Sequence, residues 1–269
     1  MAAPSFSSGA FLGDRSRAIQ VAGFKVGLWR ASLPPEGVHT HIHEDAHFVL
    51  ALDGGYHSLA HDARTPRGVA FGPGALVWNP PGVEHRDSFE RPGGRFLSVS
   101  FMPPQGAAQG DPLRLREHCA GAAARRLVGR LARLADGDEI AVEGLVLEMA
   151  GAVLTAAELE EDPAPDWLLL ADEMIGDLSC QAGLEVREVA RQVGVHPVSL
   201  ARRYRRHFGR SPATAIRLAR ADRAADLIAR GRDLVETAIV AGYADQSHLT
   251  RDFRAIYGLP PARYRAAFA

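Results

Sequence analysis

The chain has 269 residues, 46% hydrophobic and 23% charged, which is the composition of an ordinary soluble protein and leaves room for two domains with separate cores. No apolar run is long enough to cross a bilayer, and the N-terminus MAAPSFSSGAFLGDRS lacks the basic-then-apolar pattern of a signal peptide, so a cytoplasmic protein without membrane contact is expected. The net charge of −1 hides an asymmetry: from Arg187 onward sixteen Arg and no Lys stand against seven acids, and a basic block at one end points to a polyanionic partner.

Val21 to Phe101 reads as β structure. Short apolar stretches (FKVGLW, HFVLAL, GALVWN, RFLSVSF) alternate with Gly/Pro turns, the spacing of a sandwich or small barrel. Within it lie His41-x-His43-x3-His47-x6-Gly54 and Gly74-x5-Pro80-x-Gly82-x2-His85. His41, His43 and His47 share parity, so on one continuous strand they face the same side. The turn Asn79-Pro80-Pro81-Gly82 is placed to bring His85 to the same pocket. Four neutral imidazoles suit Zn, Ni, Cu or Fe(II), with Glu84 or Asp87 orienting a ligand from behind. His39 has the parity to replace one of the four. His57 and His61 read as surface residues, and Trp29 and Trp78 as core.

The two histidine segments resemble the paired motifs of the cupin barrel. That resemblance implies a metal at His41, His43, His47 and His85, or an organic effector held by the same side chains. His47 stands where cupins carry a glutamate, and Gly37 is slightly displaced from the usual place before the first histidine.

Leu113–Leu134 and Glu139–Leu159 have helical periodicity. Leu145, Leu147, Met149, Val153 and Leu154 are candidate dimer contacts. Glu160–Asp166 reads as a linker. Cys119 and Cys180 lie far apart and form no CxxC, so both are expected as reduced thiols.

The C-terminal part repeats itself. Ala190-x3-Gly194 is echoed by Ala238-x3-Gly242, Leu200-x-Arg202-x-Tyr204 by Leu249-x-Arg251-x-Phe253, and Gly209-x2-Pro212 by Gly258-x2-Pro261. In each unit the Ala allows two helices to approach. The Gly permits a sharp turn by taking positive φ, and the Leu and aromatic, four apart, point inward. The Arg between them then projects outward, where a recognition helix meets the major groove. Ser211-Pro212 is a good helix start, opening a connecting helix over Ala215–Arg230.

VREVARQVGVHPVSLARRYRRHFGRSP and AGYADQSHLTRDFRAIYGLPPARYR together resemble the AraC/XylS family of bacterial transcription regulators over Trp167–Tyr264. The resemblance implies base contacts from Val198, Ala201 and Arg202 in the first unit and from Ser247, His248 and Arg251 in the second, with Gln246 also on the DNA. Arg205, Arg206 and Arg254 are expected on phosphates, which position without reading sequence. His196 replaces the usual capping Ser or Thr, Ala215, Ala219 and Ala221 replace bulkier residues, and Pro260 replaces a Ser.

The expected fold class is therefore α+β. A cupin-type sensor (1–110) precedes a helical dimerisation segment and linker (111–165) and an all-α DNA-binding domain with two helix-turn-helix units (166–269). The expected function is transcription regulation, in the family tendency activation. The partners are double-stranded promoter DNA, RNA polymerase, a second copy of the chain, and a small-molecule or metal effector. The chain shows no nucleophile motif or phosphate-binding loop, so no enzyme is expected. The alternatives are a metal-dependent cupin enzyme fused to a DNA-binding domain, and a general nucleic-acid binder. The basic region has no exposed aromatic stacking motif to favour the latter.

Overall fold

A computed structural model describes residues 4–59, 69–103, 113–114, 118–133, 139–156, 164–181 and 184–268. The chain divides into two compact units, one formed by Met1–Leu115 and Cys119–Glu158, the other by Arg116–His118 and Leu159–Ala269.

The first unit is built on a six-stranded antiparallel sheet. Its spatial order is β11 (Leu113–Arg114), β8 (Leu76–Asn79), β5 (Ala46–Ala51), β10 (Arg95–Phe101), β3 (Phe24–Arg30) and β2 (Asp14–Val21). β5 and β10 are buried along their whole length, because each face of the sheet is covered and alternation therefore exposes nothing. On one face Val49, Ala51 and Val77 meet Trp29, Tyr56, Phe71, Phe89 and Phe96. On the other, Phe48 and Trp78 pack with ring centroids 4.7 Å apart, and Phe101 lies 4.9 Å from Phe24.

A three-stranded sheet, β7 (Val69–Phe71), β6 (Tyr56–Ser58) and β9 (Asp87–Phe89), and a parallel pair, β1 (Ser5–Phe6) with β4 (Ile42–His43), complete the β part. The ladders among described residues stay in separate sheets and do not close into a continuous barrel. Two helices belong to the same unit, α1 (His118–Arg133) and α2 (Glu139–Ala156). α1 buries Ala123, Ala124, Leu127, Val128 and Leu131.

Two sequence expectations are corrected here. Leu113 and Arg114 are strand, not helix: they pair with Val77 and Trp78 and satisfy the backbone groups at the outer edge of β8. His41, His43 and His47 do not lie on one strand. His41 makes an isolated bridge to His85, His43 ends β4, and a bend at Glu44–Asp45 separates it from His47 on β5. Among the dimer candidates, Met149 is buried inside its own unit and Leu147 is exposed, while Leu145 is half-buried. The side chains of Val153, Leu154 and Cys119, the residue His61, and linker residues 160–163 lie outside the described residues.

The second unit is entirely helical: α3 (Asp166–Leu178), α4 (Val186–Gln192), α5 (Pro197–Phe208), α6 (Pro212–Ala229), α7 (Leu234–Val240), α8 (Gln246–Tyr257) and α9 (Pro261–Phe268). α6 is central. Its first half packs Ala215 and Ile216 against Leu168, Ala190, Leu200 and Tyr204, and Ala221, Ala224, Ala225 and Ile228 on its second half are buried as well. Small side chains fill its buried positions: Ala215 and Ala221 are enclosed and Ala219 is half-buried. The tyrosines end in hydrogen bonds, Tyr204 donating to Asp172 and Tyr257 to Asp222 at 2.8 Å. These partners remove the cost of burying an unpaired hydroxyl. No described helix is long and apolar enough to cross a membrane.

Candidate functional site

In the helical unit two short-helix, glycine-turn, long-helix pairs follow one another, α4–α5 and α7–α8. The turn glycines Gly194 and Gly242 take φ of +72° and +83°, a region that a side chain disfavours. Ala190 and Ala238 are buried at the helix contacts, as are Leu200 and Tyr204 on α5 and Leu249 and Phe253 on α8. Gly209 and Gly258 cap the two long helices in the left-handed conformation. Ser211 accepts the Thr214 amide at 3.1 Å with Pro212 at the first turn of α6.

His196 caps α5 after all. Its Nδ1 accepts the Val198 amide at 3.2 Å, and Pro197 follows in the first turn, so a neutral imidazole does the work of the expected hydroxyl. Asp245 caps α8 through the His248 amide at 2.7 Å.

The outer faces of α5 and α8 carry the proposed contact residues. Val198, Arg202, Arg205 and Arg206 are exposed on α5, and Gln246, Ser247, Arg251 and Arg254 on α8. Ala201 is half-buried. The ring of His248 packs edge-on against Tyr243 at 5.1 Å, with Nε2 3.8 Å from Asp252. Elsewhere in the unit arginines are held by carboxylates: Arg191 by Glu188, Arg217 by Asp252, Arg230 by Asp226 and Arg232 by Glu236. Arg202, Arg205, Arg206, Arg251 and Arg254 have no such partner among the described residues, nor do Arg203, Arg223 and Arg263. Their charge is left for an outside anion. Asp245 and Asp252, which fix the start of α8 and its tie to α6, were not read from the sequence; only the Asp245 position, just before a helix, signals a cap.

Residues 189–267 match the family model described as a helix-turn-helix domain.

The second unit carries a helix-turn-helix domain.

No curated protein sequence matches the chain. Among solved structures, the C-terminal domain of AraT, a response regulator from Geobacillus stearothermophilus, is 25% identical, covering 39% of this chain and 88% of that one at a TM-score of 0.38. The DNA-binding domain of AdpA in complex with a target DNA is 24% identical over 39% of this chain and 94% of its own, with a TM-score of 0.36. ToxT from Vibrio cholerae is 10% identical over 91% of this chain and 98% of its own, with a TM-score of 0.37. The assignment of the domain rests on the family model, since all three TM-scores fall below 0.5.

In the first unit His41, His43, His47 and His85 line one pocket. All four are buried, and ring centroids lie between 4.3 Å for His43–His47 and 5.2 Å for His47–His85. The Nδ1 atoms of His41 and His85 each sit 2.9 Å from the backbone carbonyl two residues back, at His39 and Val83. A carbonyl only accepts, so both Nδ1 atoms carry a proton, which leaves Nε2 as the atom through which either ring, when neutral, would ligate. Burial, aided by His85 and then His41, holds His43 down to about 3. His47 is also held well below the usual histidine range, by burial and then by His43 and His85. Burial lowers His41 as well, against the opposing pull of the His39 carbonyl.

These residues fit a transition-metal ion. Neutral imidazoles are suitable donors, the ligand atoms of His41, His43 and His85 lie within 4.8 Å of one another, and His43 Nδ1, Asn79 Oδ1 and Asp87 Oδ1 are buried without a hydrogen bond of good geometry. Each unpaired buried polar group costs roughly 1–3 kcal/mol, a cost that a group bound here would offset. Of the neighbouring residues weighed from sequence, Glu84 is exposed and Asp87 lines the pocket. His39 is also exposed and contributes its carbonyl, not its ring. His57 is half-buried, 3.4 Å from Glu90. Trp29 donates to Ser98 Oγ at 2.8 Å and Trp78 is enclosed, both core roles.

The N-terminal residues were missed altogether. Phe6 stacks on His43 at 5.4 Å and Phe11 lies 4.9 Å from the same ring. Nothing in their spacing marks them as pocket residues.

Proposed function

We propose that this protein is a transcription regulator of the AraC/XylS type, an activator, whose two helix pairs form tandem helix-turn-helix units on promoter DNA and whose first unit senses a small molecule or a divalent metal. One observation carries the reading. Within a helix-turn-helix domain, the outer faces of α5 and α8 both present arginines that no carboxylate among the described residues neutralises. Two such helices in one chain suit successive major-groove faces of one duplex. Arg202 and Arg251 read bases, guanine being the base that the planar guanidinium fits bidentately. Val198, Ala201, Gln246, Ser247 and His248 line the same approach, and Arg205, Arg206 and Arg254 hold phosphates.

In the first unit, His41, His43, His47 and His85 would hold Zn, Ni, Cu or Fe(II), which supplies a Lewis-acidic point for an effector's oxygen or nitrogen. Effector binding favours one of two arrangements of the chain and so changes promoter occupancy. The protein acts as a homodimer with RNA polymerase as its further partner.

The test is a selection of bound duplexes from a random pool, followed by titration of the winner with wild type, Arg202→Ala and Arg251→Ala. Each substitution is expected to cost ~1–3 kcal/mol on the selected site and to relax the preference at one base position. Equal preference for selected and random DNA in the wild type would refute the reading. Unchanged discrimination in both variants would remove the base-reading roles.

A further inference from the structure

The pocket of the first unit holds more donors than the histidine motifs supply. Three overlapping groups of side chains have ligand atoms within 4.8 Å of one another: His41, His43 and His85; His43, Asp45 and His47; and His47, His85 and Asp87. The last contains a carboxylate that stands outside all four histidine positions. Asp87 opens β9 two residues beyond His85, and residues two apart on an extended chain share a face. The register that turns His85 into the pocket turns Asp87 there too, and both line it.

The surroundings of Asp87 leave it short of partners. Its Oδ2 receives the Asn79 side-chain amide at 3.3 Å, and the same nitrogen lies 3.1 Å from His47 Nε2. Asn79 therefore ties the carboxylate to the ring it would join in coordination. Oδ1 is buried and makes no hydrogen bond of good geometry, with the Tyr56 hydroxyl beside the carboxylate. Among the described residues no Lys or Arg lines the pocket.

Asp45 offers an instructive contrast. Its Oδ2 accepts Ser8 Oγ at 2.6 Å and the Gly9 amide at 2.9 Å; its Oδ1 is also buried without a partner, but it does not line the pocket. Asp45 fastens the N-terminal residues, while Asp87 faces the cavity.

We propose that Asp87 is a direct ligand of the divalent metal in this pocket, coordinating with His47 and His85 and supplying the carboxylate that position 47 does not. The inference rests on the metal reading given above. A mixed imidazole–carboxylate set with open positions is the donor pattern of Fe(II) and of its stand-in Co(II), and is harder than four imidazoles. Phe11, Phe89 and Phe96 line the same pocket, which would suit an effector with one metal-binding oxygen or nitrogen and an apolar body.

The experiment uses the full chain loaded with Co(II), whose visible absorption reports its ligands. Affinity is measured by competition with a chromophoric chelator. Infrared difference spectra are recorded with and without metal on protein labelled with ¹³C at aspartate carboxylates. The wild type is expected to take up one Co(II) and to shift one aspartate carboxylate band on loading. Asp87→Asn should lose that band, move the Co(II) absorption, and weaken binding by more than the ~10- to 100-fold that loss of an outer partner costs. Asp87→Glu should keep a shifted carboxylate band, now outside the aspartate label.

Co(II) absorption unchanged in energy in Asp87→Asn, with only a weaker affinity, would overturn the proposal and leave the metal site standing. So would a wild-type infrared spectrum with no aspartate band moved, a result that needs no variant to fold. Failure of the wild type to bind Co(II), Zn or Fe(II), with no difference from a folded His41→Ala/His85→Ala variant, would bring down the metal reading itself.

Discussion

Gly194 and Gly242 occupy the same place in the two helix pairs, with φ of +72° and +83°, yet their surroundings differ. A Cβ built on Gly194 meets nothing within 4 Å, whereas on Gly242 it would stand 2.9 Å from the carbonyl oxygens of Ser179 and Cys180 and 3.1 Å from Arg220 Nε. Alanine in the left-handed region costs ~1–2 kcal/mol, offset by roughly 0.4–1 kcal/mol from the stiffer unfolded chain. Gly194→Ala should therefore lose about 1 kcal/mol. Gly242→Ala adds a clash with two backbone atoms, and must disturb the 2.8 Å bond from Arg220 to the Ser179 carbonyl. Overpacking of this kind costs ~1–3 kcal/mol more, for a total of about 2–4 kcal/mol. Hydrogen exchange of the whole chain, read by mass spectrometry on the peptides of α5 and α8, separates the two local stabilities. At tenfold per ~1.4 kcal/mol, protection of α8 in Gly242→Ala should fall roughly 30- to 1000-fold, and protection of α5 in Gly194→Ala about fivefold. Equal losses in the two variants would refute the reasoning, because backbone strain alone would then account for both.

Two further outcomes are expected. Replacing Arg205, Arg206 or Arg254 by Ala should weaken binding to selected and random duplexes alike and lower the salt slope by about one per residue; a sequence-dependent loss would make that arginine a base reader. Residues 164–269, expressed alone, should fold and bind the selected duplex, since α3 to α9 bury a core of their own through Leu168, Leu200, Tyr204 and Ile216. A fragment without helical circular dichroism would show that this core needs the first unit.

The sequence alone determined the elements that local chemistry dictates. The glycine turns, the glycine caps after α5 and α8, the Ser211-Pro212 start and the inward Leu and aromatic positions follow from φ preference and the 3.6-residue period, which act within a few residues. The histidine motifs were legible for the same reason: fixed spacings around Gly/Pro turns carry their own geometry. Tertiary structure decided whatever depends on residues distant in the chain. It broke the run from His41 to His47 at Glu44–Asp45 and still brought the three rings together with His85. It turned Leu113–Arg114 into an edge strand because β8 had backbone groups to satisfy. It laid Phe6 and Phe11 on the pocket and placed Asp87 beside His47, a contact spanning 40 positions that no periodicity encodes. It also separated Gly194 from Gly242, alike in sequence, through the carbonyl oxygens of Ser179 and Cys180, because steric space is a property of the packed neighbours and not of the residue.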